Sequence, residues 1–141
     1  NDYVSYYQGY PGHQSRTVVV GDPSAEQKET YRVILDIYRR TIDRCQVEAK
    51  AGAIYQFAAD GFREHGIPGR LALAGHSVGA WWHQQEPYIV SNGEHELEEG
   101  MVLALEPHVD YWHLQDMFLI TKEGPRLLSP RFSTDEMLVV G

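Results

Sequence analysis

Leu97-Glu98-Glu99-Gly100-Met101-Val102-Leu103-Ala104-Leu105-Glu106-Pro107 is the stretch that decides how this chain folds. Gly100 closes a polar loop over residues 91–100, and the apolar run 101–105 reads as a strand that ends on an acid. Residues 117–121 read as its partner, Lys122-Glu123-Gly124 as a tight turn, and Leu127-Leu128-Ser129 as a last strand. An acid at the end of an apolar strand is a polar group carried by a rigid sheet, where functional groups are held best.

Upstream, Leu71-Ala72-Leu73-Ala74 leads as a short strand into Gly75-His76-Ser77-Val78-Gly79. A helix is expected across 54–65, stopped by Gly66 and Pro68. A longer one is expected across 25–47, with Tyr31, Ile34, Leu35, Tyr38, Ile42 and Cys45 at helical spacing on its buried face. Ser24 and Gln27 form a capping-box signature at its start. Before it, residues 1–21 read as strand, turn and strand. The turn is expected around Gly9, Pro11 and Gly12, and the β-branched run 16–20 is closed by Gly21. A strand pair, two helices and a cluster of antiparallel strands is an α+β order.

Composition narrows the function classes. The 141 residues carry a formal charge of −8, and 43% are hydrophobic, enough for one domain with a real core. There is no basic face to displace counterions from a duplex or to bind an anionic bilayer, so neither nucleic acid nor membrane is an expected partner. No apolar run is long enough to span a bilayer, and the polar, tyrosine-rich residues 1–10 do not read as a signal peptide. The single cysteine, Cys45, reads as a packed core thiol, and a lone thiol suits a reducing compartment, the cytoplasm.

Three segments pair ligand-type residues with strands: Asp2 with His13, His76 with His83, and Glu106 with Gln115. Aspartate, glutamate and histidine are the usual ligands of zinc, manganese and iron. Read singly, each histidine is a surface or core residue; their order and flanks give them more weight.

Four consecutive segments resemble those of the pita-bread superfamily of methionine aminopeptidases, Xaa-Pro dipeptidases and creatinase. They are Gly9-Tyr10 with Ser15-Arg16-Thr17 and Gly21-Asp22-Pro23-Ser24; Gly75–Gly79 with His83 and Glu86-Pro87; Leu97–Pro107; and Gln115-Asp116 through Thr121–Gly124 to Leu128-Ser129. The resemblance implies a curved antiparallel sheet covered by helices, incomplete in this chain, so that residues 1–141 form the C-terminal portion of a catalytic domain. It also implies a companion chain or N-terminal segment completing the fold, and a homodimer of the whole.

The resemblance further implies a metal set of Asp2, His13, His76, Glu106 and Gln115, with His83 contacting substrate and intermediate. Two of these positions depart from the family, which has an aspartate where His13 stands and a glutamate where Gln115 stands. Two cations about 3.5–4 Å apart need bridging carboxylates, and only Asp2 and Glu106 remain as anions. The expectation is therefore one divalent ion (Fe, Mn or Zn) held by His13, His76 and a carboxylate, or metal-free chemistry like creatinase's, with His76, His83 and Glu106 as the catalytic group. Asp116 follows Gln115 on a strand and points to the opposite face. His83, His108, His113 and Trp82 are the substrate-binding candidates; His113 stands where Xaa-Pro enzymes commonly carry arginine. Trp81, Trp82, Tyr111 and Trp112 read as core and loop packing or as an aromatic wall around the substrate. His95 reads as a solvated loop residue.

Gly75–Gly79 also fits the nucleophile elbow of α/β-hydrolases, with Ser77 as nucleophile. The following Trp81, Trp82 and Pro87 do not suit the helix that elbow requires. The expected activity is hydrolysis of a C–N bond in a small peptide-like or amidine-like substrate. The alternatives are a lyase or tailoring enzyme on the same scaffold, and a catalytically inactive binding subunit.

Overall fold

A computed structural model describes residues 2–67, 69–80 and 83–141. Strands β1 (Asp2–Tyr7) and β2 (Tyr10–Ser15) form an antiparallel hairpin, followed by the short β3 (Val18–Val20). Helices α1 (Ala25–Ile42) and α2 (Ala51–Glu64) come next. Then follow β4 (Gly75–Ser77), β5 (Gln85–Ile89), β6 (Val102–Leu105), β7 (Asp116–Thr121), β8 (Gly124–Leu127) and β9 (Leu138–Val140). The main sheet runs β5-β4-β6-β7-β8, antiparallel throughout, and β9 pairs parallel with β3.

The hairpin joins this sheet through one bridge. Ser15 and Gln115 exchange both main-chain hydrogen bonds, at 3.2 and 3.1 Å, so β2 continues the sheet at the start of β7. That junction brings the hairpin, residues 2–15, to the same surface as residues 76 and 106.

One face of the sheet is apolar and carries the helices. Leu103, Leu105, Phe118 and Ile120 pack with Ile34, Tyr38, Ile54 and Ala58 in a single core. Alternation along a strand sends Ala104 and Glu106, and Gln115 and Met117, to the other face. Asp116 therefore faces the helices, as expected from its neighbour. It accepts from Arg16 Nη2 at 2.8 Å, Gln14 Nε2 at 2.7 Å, Ser129 Oγ at 2.9 Å and Tyr38 Oη at 3.1 Å. This buried carboxylate ties β2, α1, β7 and the Ser129 loop together directly behind the polar face.

Ser24 caps α1 with both reciprocal bonds in place. Four expectations need correction. The hairpin turn is Gln8-Gly9, both at positive φ (51° and 85°), and Pro11 and Gly12 lie within β2. Two positive φ values make the tight turn that matches strand twist. Helix α1 stops at Ile42, five residues early; Cys45 stays buried in the turns beyond it, which prolonged the apolar pattern. Helix α2 starts at Ala51 behind Lys50, which makes no side-chain cap, so no signal marked that end. Residues 71–74 are irregular, and the strand itself is Gly75–Ser77.

Candidate functional site

The site is assembled from three strand ends and one loop. Cross-strand pairing sets His76 of β4 beside Ala104 of β6, and Glu106 follows Ala104 on the same face. His76 is fully buried, its Nδ1 lying 3.0 Å from the carbonyl oxygen of Ser77. A carbonyl can only accept, so Nδ1 donates to it, and Nε2 is turned toward the Glu106 carboxylate. That Nε2 lies 3.2 Å from Glu106 Oε1 without hydrogen-bond geometry, a buried polar atom left unpaired. The other carboxylate oxygen of Glu106 meets His113 Nε2 at 3.0 Å. Burial alone would raise the Glu106 carboxyl; the contacts to His113 and His76 outweigh it and hold it down at about 2. It is an anion at any physiological pH.

His13 comes from the hairpin. Its ring lies 5.3 Å from that of His76 and 5.4 Å from that of His83, and His76 and His83 are 6.3 Å apart. Three imidazoles, separated by 63, 7 and 70 positions in the sequence, thus converge beside one carboxylate. Burial is the main influence on His13 and lowers its pKa, against the opposing pull of Asp2 and Glu106.

Asp2, His13, Ser15 and Gln115 close a ring of hydrogen bonds. His13 Nε2 meets Asp2 Oδ1 at 2.8 Å, and Gln115 Nε2 meets His13 Nδ1 at 3.1 Å. Ser15 Oγ lies 2.8 Å from Gln115 Oε1 and 2.7 Å from Asp2 Oδ1, its one hydroxyl proton shared between the two acceptors. Desolvation would raise Asp2, but the bonds from Ser15 and His13 prevail and lower it.

The ring decides how far the residues fit metal ions. At this end the atoms that would ligate are satisfied by one another, and the two carboxylates needed to neutralise a second cation are a histidine and an amide. The residues do not fit a pair of ions. Around Glu106 they fit one: an ionised carboxylate, an unpaired buried Nε2 on His76, and His113 with His108 adjacent. The rings of His108 and His113 are 4.5 Å apart and 30° from parallel. Among the described residues, Glu106, His108 and His113 form a set whose ligand atoms all lie within 4.8 Å of one another.

The remaining expectations fall out as follows. Ser77 donates to the Val102 carbonyl at 3.3 Å, and β4 belongs to an antiparallel sheet and pairs with the next strand, β5. A nucleophile elbow needs strand–turn–helix, so that reading is overturned. The aromatic wall is also overturned for two of its members. Tyr111 is 89% exposed, and Trp112 packs toward Tyr31 of α1, 6.3 Å between rings. Trp82, like Trp81, lies outside the described residues. His95 is exposed, as expected of a loop residue. Ser15 was missed: a small hydroxyl in a strand gives no signal until the register places it between Asp2 and Gln115.

Comparison with known proteins agrees with this geometry. The profile of metallopeptidase family M24 matches residues 1–122. The Xaa-Pro dipeptidase of Pyrococcus horikoshii is 30% identical over 134 residues, covering 91% of this chain and 38% of the dipeptidase. The solved prolidase from Pyrococcus furiosus superposes with a TM-score of 0.86 at 28% identity, over 94% of this chain and 41% of that one. Dipeptidase PepE from Mycobacterium ulcerans superposes at 0.89 with 26% identity, over 99% and 38% respectively. The chain thus spans about two-fifths of the length of each of these relatives, and its sheet and helices are the pita-bread fold in part.

Proposed function

The chain belongs to metallopeptidase family M24, and from that premise we propose that it carries the reacting face of a hydrolase acting on a C–N bond of a short peptide-like or amidine-like substrate, with one divalent ion. The observation that carries this reading is the convergence of His13, His76 and His83, rings 5.3–6.3 Å apart, beside a buried ionised Glu106.

His83 is the partly exposed member of that trio and His76 the fully buried one. His83 is therefore the imidazole that meets substrate. It takes a proton from the attacking water and returns one to the leaving nitrogen, so that C–O forms as C–N breaks and no proton is gained or lost overall. His76, held by the Ser77 carbonyl, stands behind Glu106 and fixes where its carboxylate points. The ion would be held at Glu106 with neighbouring imidazoles, and when bound it supplies a more acidic water and a Lewis acid for the substrate carbonyl. Tyr3, Tyr7 and Tyr10, exposed on the hairpin, are assigned to contact with the part of the fold that the relatives possess and this chain does not span, in the same polypeptide or in a companion chain.

The test is hydrolysis of a panel of Xaa-Pro dipeptides and amidines after addition of Mn, Fe(II) or Zn. His83→Ala is expected to lower kcat by about 10²–10⁴-fold, the usual worth of a general acid–base group. A second reading, binding without turnover, is favoured by the closed ring of Asp2, His13, Ser15 and Gln115, which occupies the atoms that hold metal in the family. Calorimetric binding of the same dipeptides with no hydrolysis under any of the three metals would establish that reading instead.

A further inference from the structure

We propose that the ion is held by Glu106, His108 and His113, a two-histidine, one-carboxylate set displaced from the Asp2–His13–Gln115 end of the site. The inference rests on the reading that one ion binds, and it assigns the place.

The local fold builds this set. Val109 and Trp112 exchange main-chain hydrogen bonds at 3.3 and 3.0 Å, closing a two-residue turn at Asp110-Tyr111. Asp110 takes a φ of 50°, the left-handed conformation that such turns use. The next cross-strand pair outward from Val109 and Trp112 is His108 and His113, which is why two residues five apart stack ring on ring. The main-chain N–H of His113 donates to Thr17 Oγ1 at 2.8 Å, pinning that arm against the link between β2 and β3.

The chemistry of each member suits a ligand. His108 Nδ1 lies 2.9 Å from the Glu106 carbonyl oxygen, so Nδ1 carries the proton and the Nε2 lone pair is left for another partner. An imidazole fixed through one nitrogen by a carbonyl is how proteins orient metal-binding histidines. Glu106 offers Oε2 beside His113 Nε2 at 3.0 Å. All three ligand atoms fall within 4.8 Å of one another, while His108 and His113 are only partly buried and can leave positions open to water. Two imidazoles and a carboxylate with open positions suit Fe(II), Mn(II) or Zn(II).

A second observation points to a ligand at this carboxylate. Fully buried His76 presents its unpaired Nε2 to Glu106 Oε1 at 3.2 Å. It is a fully buried polar atom without a hydrogen-bond partner, aimed at one oxygen of the carboxylate assigned to the ion. Among the described residues no such unpaired buried atom lies at the Asp2 end, whose members bond one another. The resemblance puts His13 and Gln115 where the family has an aspartate and a glutamate, and His113 where Xaa-Pro enzymes commonly carry arginine, so ligand types are lost at one end of the sheet and present at the other.

The test is titration of the purified protein with Co(II), read by its visible absorption and by metal content after dialysis, with Zn(II) affinity from competition against a chromophoric chelator. Wild type is expected to bind one ion per chain. His108→Ala and His113→Ala are each expected to weaken binding by at least ~100-fold, since loss of an outer partner alone costs about 10–100-fold. His13→Ala is expected to leave affinity within about 3-fold. Circular dichroism matching wild type qualifies each variant; should His113→Ala fail to fold, His108→Ala on the partly exposed hairpin decides alone. Binding lost in His13→Ala and retained in His108→Ala and His113→Ala overturns the location but leaves the single-ion hydrolase standing. No stoichiometric ion in wild type overturns both.

Discussion

At the scale of single residues, Gln115 and Glu106 divide the labour between structure and charge. Gln115 is fully buried and uses both ends of its amide, the nitrogen on His13 and the oxygen on Ser15. A carboxylate there has no N–H for His13 Nδ1 and adds charge beside Asp2. Gln115→Glu is therefore expected to destabilise the metal-free protein by about 1–3 kcal/mol, the cost of an unsatisfied buried group. Added Mn(II) should recover part of this, read as a denaturant midpoint with and without metal. Glu106 behaves differently. Its folded pKa, about 2, lies below the ordinary 4.5, so the folded state favours the ionised form. That stabilisation is complete above pH 4.5 and is lost as pH falls through 2; the shift corresponds to on the order of 3 kcal/mol. Acid unfolding of the metal-free protein should lose this dependence between those pH values in Glu106→Gln. The candidate residues Asp2, His13, His76, Glu106 and Gln115 were legible in the sequence through their order and flanks. The pairing of His108 with His113 was not. It depends on the turn at Asp110-Tyr111, which lacks the glycine or asparagine that marks such turns.

At the scale of elements, the site is positioned by close backbone approach and by one buried ion pair. Gly75 opens strand β4, which lies between β5 and β6, and a Cβ there would lie 2.6 Å from the Ala104 carbonyl oxygen and 3.2 Å from Leu105 Cα. Gly75→Ala is expected to cost about 1–3 kcal/mol by overpacking and to lower metal affinity, because the β4–β6 spacing sets His76 against Glu106. Thermal melts alongside the Co(II) titration check both effects. Asp116→Ala removes the partner of buried Arg16, at a cost of about 3–5 kcal/mol, whereas Ser24→Ala at the exposed cap of α1 costs about 1 kcal/mol. Equilibrium unfolding of the two variants should rank them in that order. Elements with their own signals were readable: α1 from its capping box and apolar spacing, β6 and β7 as short apolar runs bounded by turn residues. Strands β5 and β9 were not. In β5 the run Gln85-Glu86-Pro87 carries two polar residues and a proline before its buried Ile89. The short, exposed β9 forms only by pairing with β3, more than a hundred residues away.

At the scale of the whole molecule, one sheet divides two environments. Its apolar face holds the helices, and its polar face gathers residues from both ends of the sequence through the single Ser15–Gln115 bridge. On the proposed reading, His13 and Gln115 stand in place of two of the family's ligand carboxylates, and the charge left on the polar face suits one divalent ion rather than two. No described helix is long and apolar enough to cross a membrane. The central claim is the count and position of that ion. The most direct measurement is an anomalous-difference map from crystals of the protein grown with Zn(II) or Mn(II), collected at the metal's absorption edge. The account predicts a single peak within bonding distance of the Glu106 carboxylate. Two peaks a few ångströms apart, or one peak seated between Asp2 and Gln115, would contradict it.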